Sequence, residues 1–207
     1  MDGFTAPSNN LLTPCQTRYK AGTNVDLHFR ELASEKAGCP IILLHGLYGS
    51  AANLQTIGKA LTDRYRVILP DLRNHGRSAH DDDVSYQAMA GDVLSLMDRL
   101  GCEQVDLLGH SMGGKVAMWL SLNHPERVNH LIVADIAPVT YPNRFSAINK
   151  AMQDLELHKV TSRQDADEKL SELLPNASLR SYLLQNLVLH EAQWQWRINL
   201  SALVKGC

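Results

Sequence analysis

Cysteine is scarce in this 207-residue sequence. The four thiols, Cys15, Cys39, Cys102 and Cys207, lie far apart and form no C-x-x-C pair. That spacing points to neither a zinc site nor a disulfide framework, and isolated thiols suit a reducing compartment. Long apolar runs are missing as well. None approaches the roughly 18 residues of a membrane span, and the longest, at 41–44 and 131–134, are of strand length. There is no excess of one charge: Lys+Arg is 20 against Asp+Glu 22, a formal net charge of −2. So even a balance gives no electrostatic case for nucleic acid or an anionic membrane surface as the main partner. At the N-terminus Asp2 comes early, with no basic n-region and no apolar h-region, so no secretory signal is expected. A cytoplasmic location follows, with the mitochondrial matrix as its alternative. What the chain does have is 44% hydrophobic and 20% charged residues, the composition of one soluble domain able to bury a sizeable core.

Residues 1–16 are rich in Pro, Ser, Asn and Thr and read as a loose leader. Two short runs, 17–21 and 25–30, flank Gly22-Thr23-Asn24. In the second, Val25, Leu27 and Phe29 alternate with polar residues, which predicts an antiparallel hairpin. From Pro40 the pattern changes. Ile41-Ile42-Leu43-Leu44, Val67-Ile68-Leu69, Val105-Asp106-Leu107-Leu108 and Leu131-Ile132-Val133-Ala134 are compact apolar runs, typical of strands buried on both faces of a parallel sheet. Between them, Leu54, Ile57 and Leu61 keep helical spacing. So do Met89, Val93, Leu96 and Leu100, with Ser85 as N-cap and Gly101 as the stop. Residues 112–123 read as a third helix. Alternating strands and helices define an α/β domain with a mostly parallel sheet over 17–141. Beyond Pro142 the pattern is helical at 144–158, 163–174 and 178–190 with no strand-like run after it. Residues 142–200 are therefore expected to form a helical cap over the sheet, with 201–207 returning to the core. The leucines at 155, 157, 170, 173, 174, 183, 184 and 187 would be either the core of that cap or the lining of a pocket.

Gly109-His110-Ser111-Met112-Gly113-Gly114 follows a predicted strand and opens a predicted helix. G-x-S-x-G in that context is a nucleophile elbow, a turn so tight that the residues flanking the serine must be small. It turns the Ser111 hydroxyl away from the sheet and sets the Met112 N–H beside it, where negative charge can be stabilised. The bland alternative is a tight βα turn with a chance serine. His45-Gly46-Leu47-Tyr48-Gly49-Ser50 also ends a buried strand, and such a segment shapes the other half of an oxyanion hole, with the Leu47 N–H as donor. Its alternative is a glycine turn that packs a helix. Asp71-Leu72-Arg73-Asn74-His75-Gly76-Arg77-Ser78 reads as a structural loop, with His75 a hydrogen-bonding member rather than a catalytic base.

Taken together and in order, GHSMGG, HGLYGS, DLRNHGRS and VADIAPV resemble the α/β-hydrolase superfamily, and more narrowly its small abhydrolase-domain serine esterases, over about residues 17 to 200. The resemblance implies hydrolysis of carboxylic esters or acyl thioesters through an acyl-enzyme, with no metal and no organic cofactor. It makes Ser111 the nucleophile, the amides of Leu47 and Met112 the oxyanion hole, and His45, Gly46 and His110 members of the substrate site. Asp135, after the strand 131–134, is a candidate triad acid, though it could equally hydrogen-bond the cap entrance. The triad order in this fold is Ser, acid, His. None of the nine histidines stands at the family position of the base. The family pattern continues for two strands and their helices, roughly 50–60 residues by base rates, so the chain reads as C-terminally truncated. A sheet ending at 131–134 would leave an apolar edge and invite self-association. Competing readings remain open: another reaction on the same fold (perhydrolase, carbon–carbon hydrolase, lipase), or a non-catalytic protein that binds an acyl ligand or a partner chain.

Overall fold

A computed structural model describes residues 24–32, 40–142 and 144–206. The four apolar runs form parallel strands β2 (Pro40–Leu44), β3 (Arg66–Pro70), β4 (Val105–His110) and β5 (Val128–Ala134). A shorter strand, β1 (Phe29–Leu32), pairs antiparallel with β3. The sheet order is β1-β3-β2-β4-β5. Of the expected hairpin, the second arm forms a strand only from Phe29 and lies against β3; the first arm (17–21), the leader and the connection 33–39 lie outside the described residues.

The continuous apolar runs are explained by what covers the sheet. Side chains alternate across a strand, so Ile42, Leu44 and Ile68 face one layer while Ile41, Leu43, Val67 and Leu69 face the other. The first layer is α2 (Tyr86–Arg99) and α3 (Met112–Asn123), which contribute Met89, Val93, Leu96, Val116 and Leu120. The second is a 3-10 turn (Ala51–Leu54) leading into α1 (Gln55–Leu61). Helix α2 begins and ends as its sequence predicts. Ser85 Oγ accepts the Ala88 N–H at 3.2 Å, and Gly101 adopts φ +66° at its end.

Residues 144–206 build a separate hydrophobic cluster on top of the sheet. It contains α4 (Ser146–Asp154), α5 (Arg163–Ser171), α6 (Ala177–Leu184) and α7 (Leu200–Gly206). Leu155, Leu170, Leu174, Leu183, Leu184 and Leu187 lie in this cluster, together with Leu203 of α7, so residues 201–206 pack within the cap. One expectation is corrected here. The helical pattern over 178–190 stops at Leu184, and strands β6 (Leu187–His190) and β7 (Gln193–Trp196) follow as an antiparallel hairpin. Its two-residue turn, Glu191-Ala192, has both φ values positive (48° and 62°). Such a turn normally carries Asn, Asp or Gly, and without them the leucine spacing reads as helix.

Candidate active site

The strand register gathers the functional loops. Leu44 lies opposite Gly109 and His110 opposite Ala134, so β2, β4 and β5 end side by side at one sheet edge. Ser111 follows β4 directly and takes φ 52°, ψ −115°, a strained conformation for a residue with a side chain. Its N–H donates to the Ala134 carbonyl at 3.0 Å, tying the turn to β5. The bend is possible only because its neighbours lack side chains. A Cβ at Gly109 would stand 2.3 Å from the Gly113 oxygen, and one at Gly113 would stand 2.4 Å from the Leu44 oxygen.

Ser111 forms part of the wall of a cavity of about 720 Å³, together with Leu47 and Met112. Val84, Met89, Ile136, Phe145 and Leu203 give that cavity its apolar surface. The Leu47 N–H has no backbone or side-chain acceptor among the described residues. Met112 is the first residue of α3, where the N–H has no intrahelical partner. Both amides are therefore free to meet an anionic oxygen at the cavity wall.

The loop carrying Leu47 is gripped from both sides. From the cap, Tyr182 donates its hydroxyl hydrogen to the Leu47 carbonyl at 2.8 Å, and Asn186 donates its side-chain N–H to the Tyr48 carbonyl at 2.8 Å. Tyr48, at φ 61°, donates its own hydroxyl to Asn149 Oδ1 of α4. From below, the Tyr48 N–H donates to His75 Nε2 at 3.2 Å, while His75 Nδ1 donates to the Arg73 carbonyl at 2.8 Å. Burial pushes the Tyr182 phenol up to about 12, so it stays a donor.

His45 and His75 sit with ring centroids 5.1 Å apart, both buried. His45 Nδ1 donates to the Gly46 carbonyl at 2.8 Å and its Nε2 accepts the Leu72 N–H at 2.9 Å. Those bonds fix the neutral tautomer, and burial holds the ring below the usual histidine range. Burial, reinforced by His45, takes His75 down to about 3. His45, expected at the substrate site, uses both ring nitrogens on backbone groups and is not among the residues that line the cavity.

The 71–78 loop is structural, as its residue types predict. Asp71 accepts the N–H groups of Ala51 (2.7 Å) and Arg77 (3.0 Å). Arg73 is buried against Asp92, with Nε to Oδ2 at 2.6 Å.

The remaining predicted site residues divide. Leu47, Ser111 and Met112 line the cavity; Gly46, His110 and Asp135 are not among its lining residues. Gly46 still matters by its size, because a Cβ there would stand 3.0 Å from His110 Nδ1 and 3.4 Å from the Ser111 Cβ. Asp135, at φ 58°, follows β5 with its side chain 86% exposed, and Oδ2 lies 3.7 Å from His110 Nε2. None of the nine histidines lines the cavity. His124 and His130 flank the start of β5, away from Ser111, and His130 Nδ1 meets Asp106 at 2.9 Å. Sequence reasoning did not find Tyr182, Asn186 or Asn149. They meet the 47–48 loop across more than a hundred residues, and no local pattern signals such contacts.

The model of the alpha/beta hydrolase fold family matches residues 40–197, and the chain belongs to that family. It is 38% identical over 213 aligned residues to a protein of Xenopus laevis named sn-1-specific diacylglycerol lipase ABHD11, covering 97% of this chain and 68% of that protein. It is 34% identical over 169 residues to Esterase YbfF of Escherichia coli (strain K12), covering 79% of this chain and 63% of the esterase. A solved marine microorganism esterase superposes with a TM-score of 0.85 at 39% identity, over 88% of this chain and 72% of that one. The chain thus spans roughly 60–70% of the length of these relatives.

Proposed function

We propose that this chain carries the acyl-binding and oxyanion half of a serine ester hydrolase, acting on carboxylic esters or acyl thioesters with an apolar acyl group. The observation that carries the reading is Ser111, held at φ 52° on the wall of a cavity that also presents the Leu47 and Met112 amides. In the reaction, the Ser111 oxygen bonds to the acyl carbon as its proton passes to a base. The carbonyl oxygen takes the negative charge between the two amides. The intermediate collapses, the alcohol or thiol leaves with a proton, and water later releases the acid and regenerates Ser111. The lipase and esterase names of the relatives support an ester substrate.

Asp135, which follows β5 at the sheet edge where β4 ends before Ser111, is proposed as the triad acid, with a hydrogen bond at the cap entrance as its alternative role. With no histidine at Ser111 itself, turnover by this chain alone is expected to fall orders of magnitude below that of a complete triad, because the oxyanion hole and binding supply only the residual rate. The scattered thiols and balanced charge support a cytoplasmic setting and a small-molecule partner rather than nucleic acid. No described helix is long and apolar enough to cross a membrane.

A fluorophosphonate probe tests the reading. Slow covalent labelling of the wild-type chain that disappears in Ser111→Ala is the expected result. Equal labelling of both removes Ser111 as the nucleophile, whereas labelling of neither means that Ser111 is not activated in this chain. Retained fatty-acid binding would then leave an acyl-binding protein without turnover.

A further inference from the structure

Lys115 is a cation with an unusual address. It lies four residues after Ser111, in the first turn of α3, and its N–H donates to the Ser111 carbonyl at 3.2 Å. Both contribute to the wall of the same cavity. A lysine on a helix surface normally extends into water or pairs with a carboxylate. Here the ammonium is held over two aromatic faces, 5.6 Å from the Tyr86 ring centroid and 5.1 Å from that of Tyr141. Tyr141 is itself fixed, its hydroxyl oxygen accepting the Ala137 N–H at 3.0 Å. Lys115 forms no ion pair among the described residues. Two carboxylates, Asp82 and Asp83, share the cavity wall. Asp83 is engaged by the Ser85 N–H at 2.9 Å, and neither bonds to Lys115. Arg144 adds a second, exposed cation to the same wall.

We propose that Lys115 is the anchor for an anionic group, a carboxylate or phosphate, carried by the acyl ligand. An ammonium over two aromatic faces beside an apolar wall offers an arriving anion a charge-assisted hydrogen bond in a partly apolar setting. The apolar wall takes the hydrocarbon, and the anion sits on the cavity wall that also carries Ser111. That placement relative to an attacked ester rests on the Ser111 reading; the anion preference does not. It narrows the substrate class to esters bearing a second, negatively charged group.

Titration calorimetry with octanoate, octyl phosphate and octan-1-ol tests this on the wild-type chain, Lys115→Met, Lys115→Arg and Ser111→Ala. The wild type is expected to bind at least one anion about 10-fold tighter than the alcohol. Whichever anion is preferred identifies the group. Lys115→Met should erase the preference without weakening octan-1-ol, and Lys115→Arg should keep most of it. Equal affinity for all three ligands in the wild type overturns the proposal. So does a preference that survives in Lys115→Met, which would put the anion on the Leu47 and Met112 amides. Ser111→Ala separates the two ideas: a preference retained there while Ser111 proves unreactive would leave the anchor standing and remove only the hydrolase reading.

Discussion

His75 shows how a single buried ring links stability to pH. The folded chain keeps it neutral down to about 3, whereas an unfolded chain binds a proton near 6.5. Its contribution is therefore complete above pH 6.5 and is lost as pH falls toward 3, at up to about 1.4 kcal/mol per pH unit over that window. His45, depressed in the same direction, adds to the slope. Urea unfolding between pH 8 and pH 4.5 should show this loss. His75→Gln should lower stability at pH 8 yet flatten the pH dependence; an unchanged slope would remove His75 as its source. The residues that were legible in the sequence are those whose roles are fixed within a few positions. Ser111, Gly109 and Gly113 define a strand-to-helix bend by type and spacing alone. His45 was not, because whether a histidine faces a cavity or the backbone of a loop depends on Leu72, which is remote in sequence.

Among the elements, the junction between α6 and the β2 loop carries the most consequence. Tyr182→Phe keeps the ring and removes one hydrogen bond, from the phenol to the Leu47 carbonyl. The expected cost is about 1 kcal/mol of stability. Because Leu47 is the proposed oxyanion donor, the rate of fluorophosphonate labelling should fall about 10-fold, by analogy with weakened rather than deleted donors. Unaltered labelling together with a lowered melting temperature would reduce Tyr182 to packing. Strands β2 to β5 and helices α1 to α3 could be read from the sequence because each has its own periodicity and stop signal. The hairpin of β6 and β7 could not. Leu187 and Leu189 pair with Trp196 and Trp194 across a turn without glycine or asparagine, and the same leucines also satisfy a helical spacing.

For the whole molecule, the described sheet ends at β5, where Leu131 is 38% and Ile132 51% exposed. We propose that this seven-residue strand, with its apolar side chains exposed, pairs with a second copy of the chain. Sedimentation velocity should show concentration-dependent association of this chain, reduced by Ile132→Lys; a monomer at all concentrations would refute it. The layered α/β plan was legible because alternation of strand and helix leaves few topologies. The seating of the cap was not, since its bonds to the 47–48 loop join segments that only the finished fold brings together. Those bonds have a mechanical consequence. A cap that swung open like a door would drag the Leu47 peptide with it and displace the proposed oxyanion donor. Entry and reactivity are thus geared together: a ligand slips in beneath a stationary roof, or it finds the machinery disarmed.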